Sequence, residues 1–161
     1  MAYIGVMPQR PDIPARPPST EGTLDLRVRY CECDPMGVAH HASYVPWLEM
    51  GRTELLRTSG LSYAELEAAG VLLVITRLEV KYRRPVKYDD LVQVQTRVLG
   101  ASRVKIEHAY EVRLLERTGV DTRAQKDRGE DLLATAETTL ASVGRDGRVI
   151  PLPEWLAGSR P

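Results

Sequence analysis

The strict alternation of side chains between residues 76 and 114 limits the fold more than any other property of the sequence. Thr76, Leu78, Val80 and Tyr82 alternate with Arg77, Glu79, Lys81 and Arg83. Val92, Val94, Thr96 and Val98 alternate with Gln93, Gln95 and Arg97. Val104, Ile106, His108, Tyr110, Val112 and Leu114 alternate with Lys105, Glu107, Ala109, Glu111 and Arg113. A period of two sends successive side chains to opposite faces, so each run predicts an antiparallel strand with one wet face. Leu24, Leu26, Val28 and Tyr30 predict another, and so does Leu132 to Val143, where Ala and Thr on both faces leave the inward side ambiguous. Ahead of the long alternating block, Tyr44, Trp47, Leu48, Gly51 and Leu55 share one helical stripe, with Ser43 expected as N-cap and Pro46 in the first turn. Gly51 costs about 1 kcal/mol of helix propensity against Ala, which implies close approach of that helix to whatever covers it. Ser62 to Glu65 has capping-box spacing, predicting a short second helix that stops at Gly70. Gly119 to Asp131 is dense in charge and reads as a mobile loop. One dominant helix and several single-sided strands are best satisfied by a sheet wrapped around that helix, an α+β fold.

A chain of 161 residues suits one domain and buries roughly 70% of its unfolded surface at this size, without disulfide or metal staples. The expected organisation is a disordered Pro-rich arm over residues 1–20, carrying Pro8, Pro11, Pro14, Pro17 and Pro18, one domain over 21–146, and a C-terminal tail over 147–161. Lys and Arg number 22, matching 22 Asp and Glu, and this balance disfavours a nucleic-acid partner. The longest aliphatic stretch, Val71 to Ile75, is far too short to span a bilayer, and the first residues lack the pattern of a secretion signal. Two cysteines, Cys31 and Cys33, fit a reducing compartment, so a cytoplasmic location is expected.

Chemistry-bearing residues concentrate between Tyr30 and His41, where two carboxylates, two thiols and two histidines fall between a strand and a helix start. Asp34-Pro35-Met36-Gly37 has turn chemistry, which would leave Asp34 projecting near the helix amino end. Unpaired amides and a partial positive charge gather there. A carboxylate beside such donors can attack a carbonyl while the donors stabilise the oxyanion. The commoner role for an aspartate in such a place, judged from composition alone, is to close a turn or cap a helix and do nothing more. Zinc held by Cys31, Cys33, His40 and His41 is a further alternative, although the spacing departs from finger patterns and cysteines more often pack as small apolar groups. His108, on the apolar face of its strand, reads as a core histidine with its ring nitrogens satisfied.

Tyr30-x-Glu32-Cys33-Asp34-Pro35-x-Gly37-Val38, followed by His41-Ala42-Ser43-Tyr44, Trp47-Leu48-Glu49 and Arg52, resembles the acyl-CoA thioesterases of the hotdog fold. The similarity is to their 4-hydroxybenzoyl-CoA thioesterase-like group, including the Tol-Pal-associated members, and covers about residues 23–145. Tyr82 to Leu91 resembles the family's bend between its second and third strands. The resemblance implies a long helix wrapped by an antiparallel sheet of about five strands, in a homodimer or homotetramer with active sites at the subunit interface. It implies Asp34 as nucleophile or general base, the His41 backbone amide as oxyanion donor, Tyr30 lining or orienting the site, and Glu49 as a fallback carboxylate. A contact with Arg52 is the structural alternative for Glu49. His40 departs from the aromatic residue common at its position. The implied substrate is an acyl-CoA, or an acyl group on a carrier protein, with no metal and no separate cofactor. Coenzyme A is polyanionic, so cations should stand at the pocket mouth: Arg103 and Lys105 by family position, with Arg83, Arg84 and Lys87 as a second cluster. A hydroxyacyl-thioester dehydratase or hydratase using His41 and Glu49, and a non-catalytic acyl-CoA or acyl-carrier binding module, are the competing readings.

Overall fold

Why the helix can be central is visible at Gly51, on the face that α1 (Tyr44–Thr58) turns to the sheet. A Cβ there would lie 2.5 Å from Thr96 Oγ1 and 3.1 Å from Val94 Cγ1, so only glycine lets the helix backbone ride this close to the strand below. The same face buries Tyr44, Trp47, Leu48 and Leu55. The computed structural model describes residues 18–157. In chain order the remaining elements are β1 (Glu21–Arg27), α2 (Tyr63–Ala68), β2 (Leu72–Tyr82), β3 (Leu91–Ala101), β4 (Lys105–Glu116), α3 (Thr122–Asp127), β5 (Leu132–Val143) and α4 (Glu154–Ala157). The five strands form one antiparallel sheet in the order β1-β3-β4-β5-β2, wrapped around α1, which is the α+β architecture expected.

Register resolves the ambiguous face of β5. Ala134, Ala136, Thr138 and Leu140 stand opposite Val112, Tyr110, His108 and Ile106 of β4, so small residues on one strand make room for large ones on the next. The Tyr110 hydroxyl and Thr138 Oγ1 pair at 3.0 Å inside this layer. Trp47 and Leu48 pack with Val92, Val94, Val112 and Leu133 to form the main core. Strand β2 begins at Leu72, earlier than the alternation suggests, and is bulged between Ile75 and Arg77. It pairs with β5 on one side, and among the described residues its other border has no strand partner.

Four expectations need correction. β1 ends at Arg27, and the chain then turns through a 3-10 segment, Tyr30–Glu32, because the Glu32 carboxylate accepts the Arg29 amide and draws the backbone round. Ser43 stands at the N-cap position of α1 as expected but makes no capping bond: its hydroxyl donates to the Glu32 carbonyl, and the side-chain cap falls on the 3-10 turn just before it, His41–Ser43, where His40 Nδ1 accepts from the Ala42 amide. The charged segment 119–131 contains α3, capped by the Asp121 side chain on the amides of Arg123 and Ala124. Finally, the stretch expected as a C-terminal tail returns to the fold, and Leu152 and Leu156 are buried against Leu55, Val98, Ile106 and Leu140. Of the expected N-terminal arm, residues 1–17 lie outside the described residues, as do 158–161 of the tail.

Candidate active site

The Asp34 turn forms as its composition predicts. The Gly37 amide donates to the Asp34 carbonyl at 2.9 Å, the Met36 amide donates to Asp34 Oδ1 at 2.8 Å, and Gly37 takes the positive φ of 74° that closes the turn. Asp34 N also donates to the Val38 carbonyl, and Cys33 pairs with Ala39, so residues 33–39 make a tight hairpin. That hairpin rests on the bend between β2 and β3 through a Val38–Lys87 bridge and a 2.8 Å bond from the Ala39 amide to the Val86 carbonyl.

Two buried carboxylates hold this region. Asp90, 1% exposed, is gripped by Arg117 through Nε at 2.8 Å and Nη2 at 2.6 Å, while Nη2 also reaches the Pro85 carbonyl. Asp90 Oδ2 accepts the Lys87 amide at 2.7 Å as well. Glu32 lies beneath the other side. Its carboxylate accepts the Arg29 amide at 2.7 Å, Arg29 Nη2 at 2.8 Å and the indole of Trp47 at 2.9 Å. Its carbonyl takes the His40 amide and the Ser43 hydroxyl. Burial alone would push this carboxyl up, but the Arg29 and Trp47 donors outweigh it and hold the group below the ordinary carboxylate value. One residue thus ties the Asp34 hairpin to the first turns of α1.

Above these anchors lies an open groove of about 340 Å³, lined by Asp34, His41, Tyr44, Tyr82, Arg83 and Arg84 among others. At the first position of its 3-10 turn, the His41 amide has no intrahelical acceptor, and among the described residues none of the neighbouring carbonyls takes it. The hydroxyl of Tyr82 donates to the His41 carbonyl at 3.1 Å, and its ring meets Tyr44 edge-on at 5.0 Å. Burial pushes the Tyr44 phenol up to about 12, reinforced by Tyr82 and Asp90. A carboxylate, a free amide and two guanidinium groups around one cleft can bind an anionic ligand and stabilise charge developing on a carbonyl oxygen.

Of the residues singled out from the sequence, the fold gathers Asp34, His41, Arg83 and Arg84. Tyr30 stands outside the groove, 80% exposed, with its ring edge-on to Tyr88. Glu49 also stands outside, exposed on α1, where its Oε2 accepts from Arg52 at 3.0 Å, the structural contact named as its alternative. Arg103 and Lys105 sit at the β3–β4 turn, with Lys105 opposite Ala141, whereas the groove adjoins the far end of β4, where Arg113 pairs with Leu132. Those eight residues of strand separate the two ends by about 27 Å at the usual rise, so within one chain the basic residues that line the groove with Asp34 are Arg83 and Arg84, while Lys87 of the same cluster bridges to Val38 of the hairpin without lining it. His108 is buried as expected, but it is not satisfied, since its Nδ1 has no hydrogen-bond partner among the described residues; burial, with Arg52 nearby, lowers it to about 4, so it stays neutral. The zinc alternative finds no support in the geometry. Cys33 Sγ turns to the Arg29 carbonyl, His40 Nδ1 is occupied as a cap, and among the described residues no three candidate ligands cluster.

Glu32, Tyr82, Asp90 and Arg117 were not singled out as functional residues. Glu32 lies inside the Tyr30–His41 block, but its decisive partner, Trp47, is fifteen residues away. Tyr82 carried a weak signal, as the large aromatic ending an alternating run.

A family model described as "Thioesterase-like superfamily" matches residues 28–159. The acyl-CoA thioester hydrolase YbgC of Escherichia coli is 40% identical over 73 residues, 45% of this chain and 54% of that protein. YneP of Bacillus subtilis is 33% identical over 88 residues, 55% of this chain and 64% of that one. The chain therefore spans between about half and two thirds of the length of these two curated relatives. Among solved structures, the DHNA-CoA thioesterase of Staphylococcus aureus superposes with a TM-score of 0.69 at 28% identity, over 82% of this chain and 79% of that one.

Proposed function

The chain belongs to the Thioesterase-like superfamily, and on that premise we propose that it hydrolyses an acyl-CoA thioester to the free acid and coenzyme A. The observation that carries the proposal is that Asp34 and His41, whose amide has no partner among the described residues, line one groove. In the nucleophilic route a carboxylate oxygen of Asp34 attacks the thioester carbonyl and the His41 amide receives the oxyanion. Collapse breaks the C–S bond, and the thiolate leaves and takes a proton from solvent. Water then splits the acyl-aspartyl anhydride and restores the carboxylate. In the general-base route Asp34 takes a proton from the attacking water instead. Both routes consume only water, so neither requires a cofactor. One oxyanion donor is typically worth ~3–4 kcal/mol in the transition state.

Arg83 and Arg84 on the groove wall suit the phosphates of coenzyme A or the phosphopantetheine of an acyl carrier. A homodimer or homotetramer is supported by the open border of β2, a strand that leaves Val74, Ile75 and Leu78 substantially exposed. A second chain is also the means by which Arg103 and Lys105 would reach the groove. The Asp34 block and His41 favour the Tol-Pal-associated subgroup. The two free cysteines suit the cytoplasm, and among the described residues no helix is long and apolar enough to cross a membrane.

The test is thiol release from short, long and aromatic acyl-CoAs. Asp34→Asn should lower kcat by about a hundredfold or more while the unfolding midpoint is retained. An unchanged rate would refute the assignment.

A further inference from the structure

Tyr82 combines features that a purely structural tyrosine has little reason to carry. It is the last residue of β2, placed opposite Ala134 of β5, and the residue remains 51% exposed in the groove wall. The hydroxyl is nevertheless committed, donating at 3.1 Å to the carbonyl of His41, forty-one residues away in sequence. The ring is steadied from behind by Tyr44, the first residue of α1, which is 3% exposed and meets it at 81°.

The peptide it touches is the one that matters for the turn. The plane joining His41 to Ala42 is held at its nitrogen by the bond from the Ala42 amide to His40 Nδ1 at 3.2 Å, and at its oxygen by Tyr82. On the preceding side, the His40 amide is fixed on the Glu32 carbonyl and the His40 carbonyl accepts from Ser43. His41 is therefore clamped on both flanks while its own amide is left unpaired and its residue lines the groove. The His41 N–H itself lies in the preceding plane, joined to the one that Tyr82 restrains through the two torsions of His41, so losing the oxygen-side restraint loosens that joint and lets the preceding plane, and its N–H, tilt. A donor that must lie about 2.7–3.1 Å from a developing oxyanion loses effect when its direction wanders.

We propose that Tyr82 is a positioning residue, whose hydroxyl fixes the turn that aims the His41 amide into the groove. The proposal rests on the hydrolysis reading for its kinetic consequence, and on geometry alone for its structural one. It assigns the phenol no proton transfer and no covalent step.

The experiment compares the wild-type chain with Tyr82→Phe, which keeps the ring and any ring contact with substrate. Kinetics are read by thiol release, and unfolding midpoints are measured in parallel. The expected result is a fall in kcat of roughly three- to tenfold, the scale of one net hydrogen bond, with KM unchanged and the midpoint lowered by no more than that one bond accounts for. A wild-type kcat overturns the proposal. So does a fall matched by a rise in KM, or one accounted for by protein unfolded at the assay temperature, since the hydroxyl would then act through binding or folding. A second measurement does not depend on turnover. With histidine carrying ¹³C at its carbonyl, only three sites are labelled, His40, His41 and His108. Tyr82→Phe should shift the His41 carbonyl resonance and leave that of His108 in place, and an unmoved His41 signal overturns the proposal even if the chain hydrolyses nothing. Absence of thiol release by wild-type protein together with a shifted His41 signal would count against the hydrolysis reading and in favour of the Tyr82 restraint.

Discussion

Replacing Glu32 by Gln tests the anchor beneath the groove with almost no change of shape. Oε1 of the native carboxylate receives Trp47 Nε1 at 2.9 Å and Arg29 Nη2 at 2.8 Å, and Oε2 receives the Arg29 amide at 2.7 Å. An amide has one accepting oxygen. If it occupies the first position, the new NH₂ faces the Arg29 N–H, and a part-buried donor loses its acceptor at a cost of about 1–3 kcal/mol. The charge of the Arg29 pair also disappears, but that guanidinium is 68% exposed, so its share is about 0.2–1 kcal/mol. The flipped amide leaves two donors unmet and is no better. The expected loss is therefore about 1–4 kcal/mol at neutral pH. The carboxyl's folded value lies below its ordinary 4.5, so its contribution is fully present above 4.5 and is lost as pH falls through the lower folded value. Urea unfolding followed by the fluorescence of Trp47 and Trp155 should show a constant gap between wild type and Glu32→Gln down to about that pH, and a narrowing gap below it. A gap smaller than about 0.5 kcal/mol at neutral pH, or one that does not narrow in acid while both proteins remain folded, would refute the reasoning.

Gly51→Ala should destabilise by up to about 2 kcal/mol, because a clash of roughly 1–3 kcal/mol with Thr96 and Val94 outweighs about 1 kcal/mol of gained helix propensity. Among the described residues Thr96 Oγ1 has no hydrogen-bond partner, so adding Thr96→Ala should recover most of the loss in the unfolding midpoint; Gly51→Ala alone matching wild type would contradict the close approach. Arg117→Gln leaves Asp90, 1% exposed, without its cation, and should cost about 3–5 kcal/mol in equilibrium unfolding, with less than about 1 kcal/mol counting against the clamp.

Most of the sheet was legible because β3 and β4 alternate without interruption, and because Gly51 is intelligible only as a close approach. The misreadings share one physical cause, a distant partner overriding a local preference. Tyr30 continues the alternation of β1, yet the chain turns at Arg29 because a carboxylate three residues on captures its amide. Ser43 is a sound N-cap by type, but its hydroxyl is spent on the Glu32 carbonyl and the side-chain cap falls to His40 on the 3-10 turn before it. Asp121 ahead of α3 was a readable cap, hidden by the charge density around it. At the candidate site, Asp34 and His41 were visible because they lie seven residues apart in one motif. The ordering of the basic clusters was not, since only register shows that Lys105 and Arg83 lie toward opposite ends of the sheet.

Strand β2 is both a frontier and a wall. Among the described residues its outer rim has no strand partner, while its terminal side chain, Tyr82, reaches the turn that frames the groove. Thermodynamic reciprocity then binds the two ends together: docking along the rim that reorients Tyr82 changes the hold on a bound ligand, and the ligand changes the docking by the same factor.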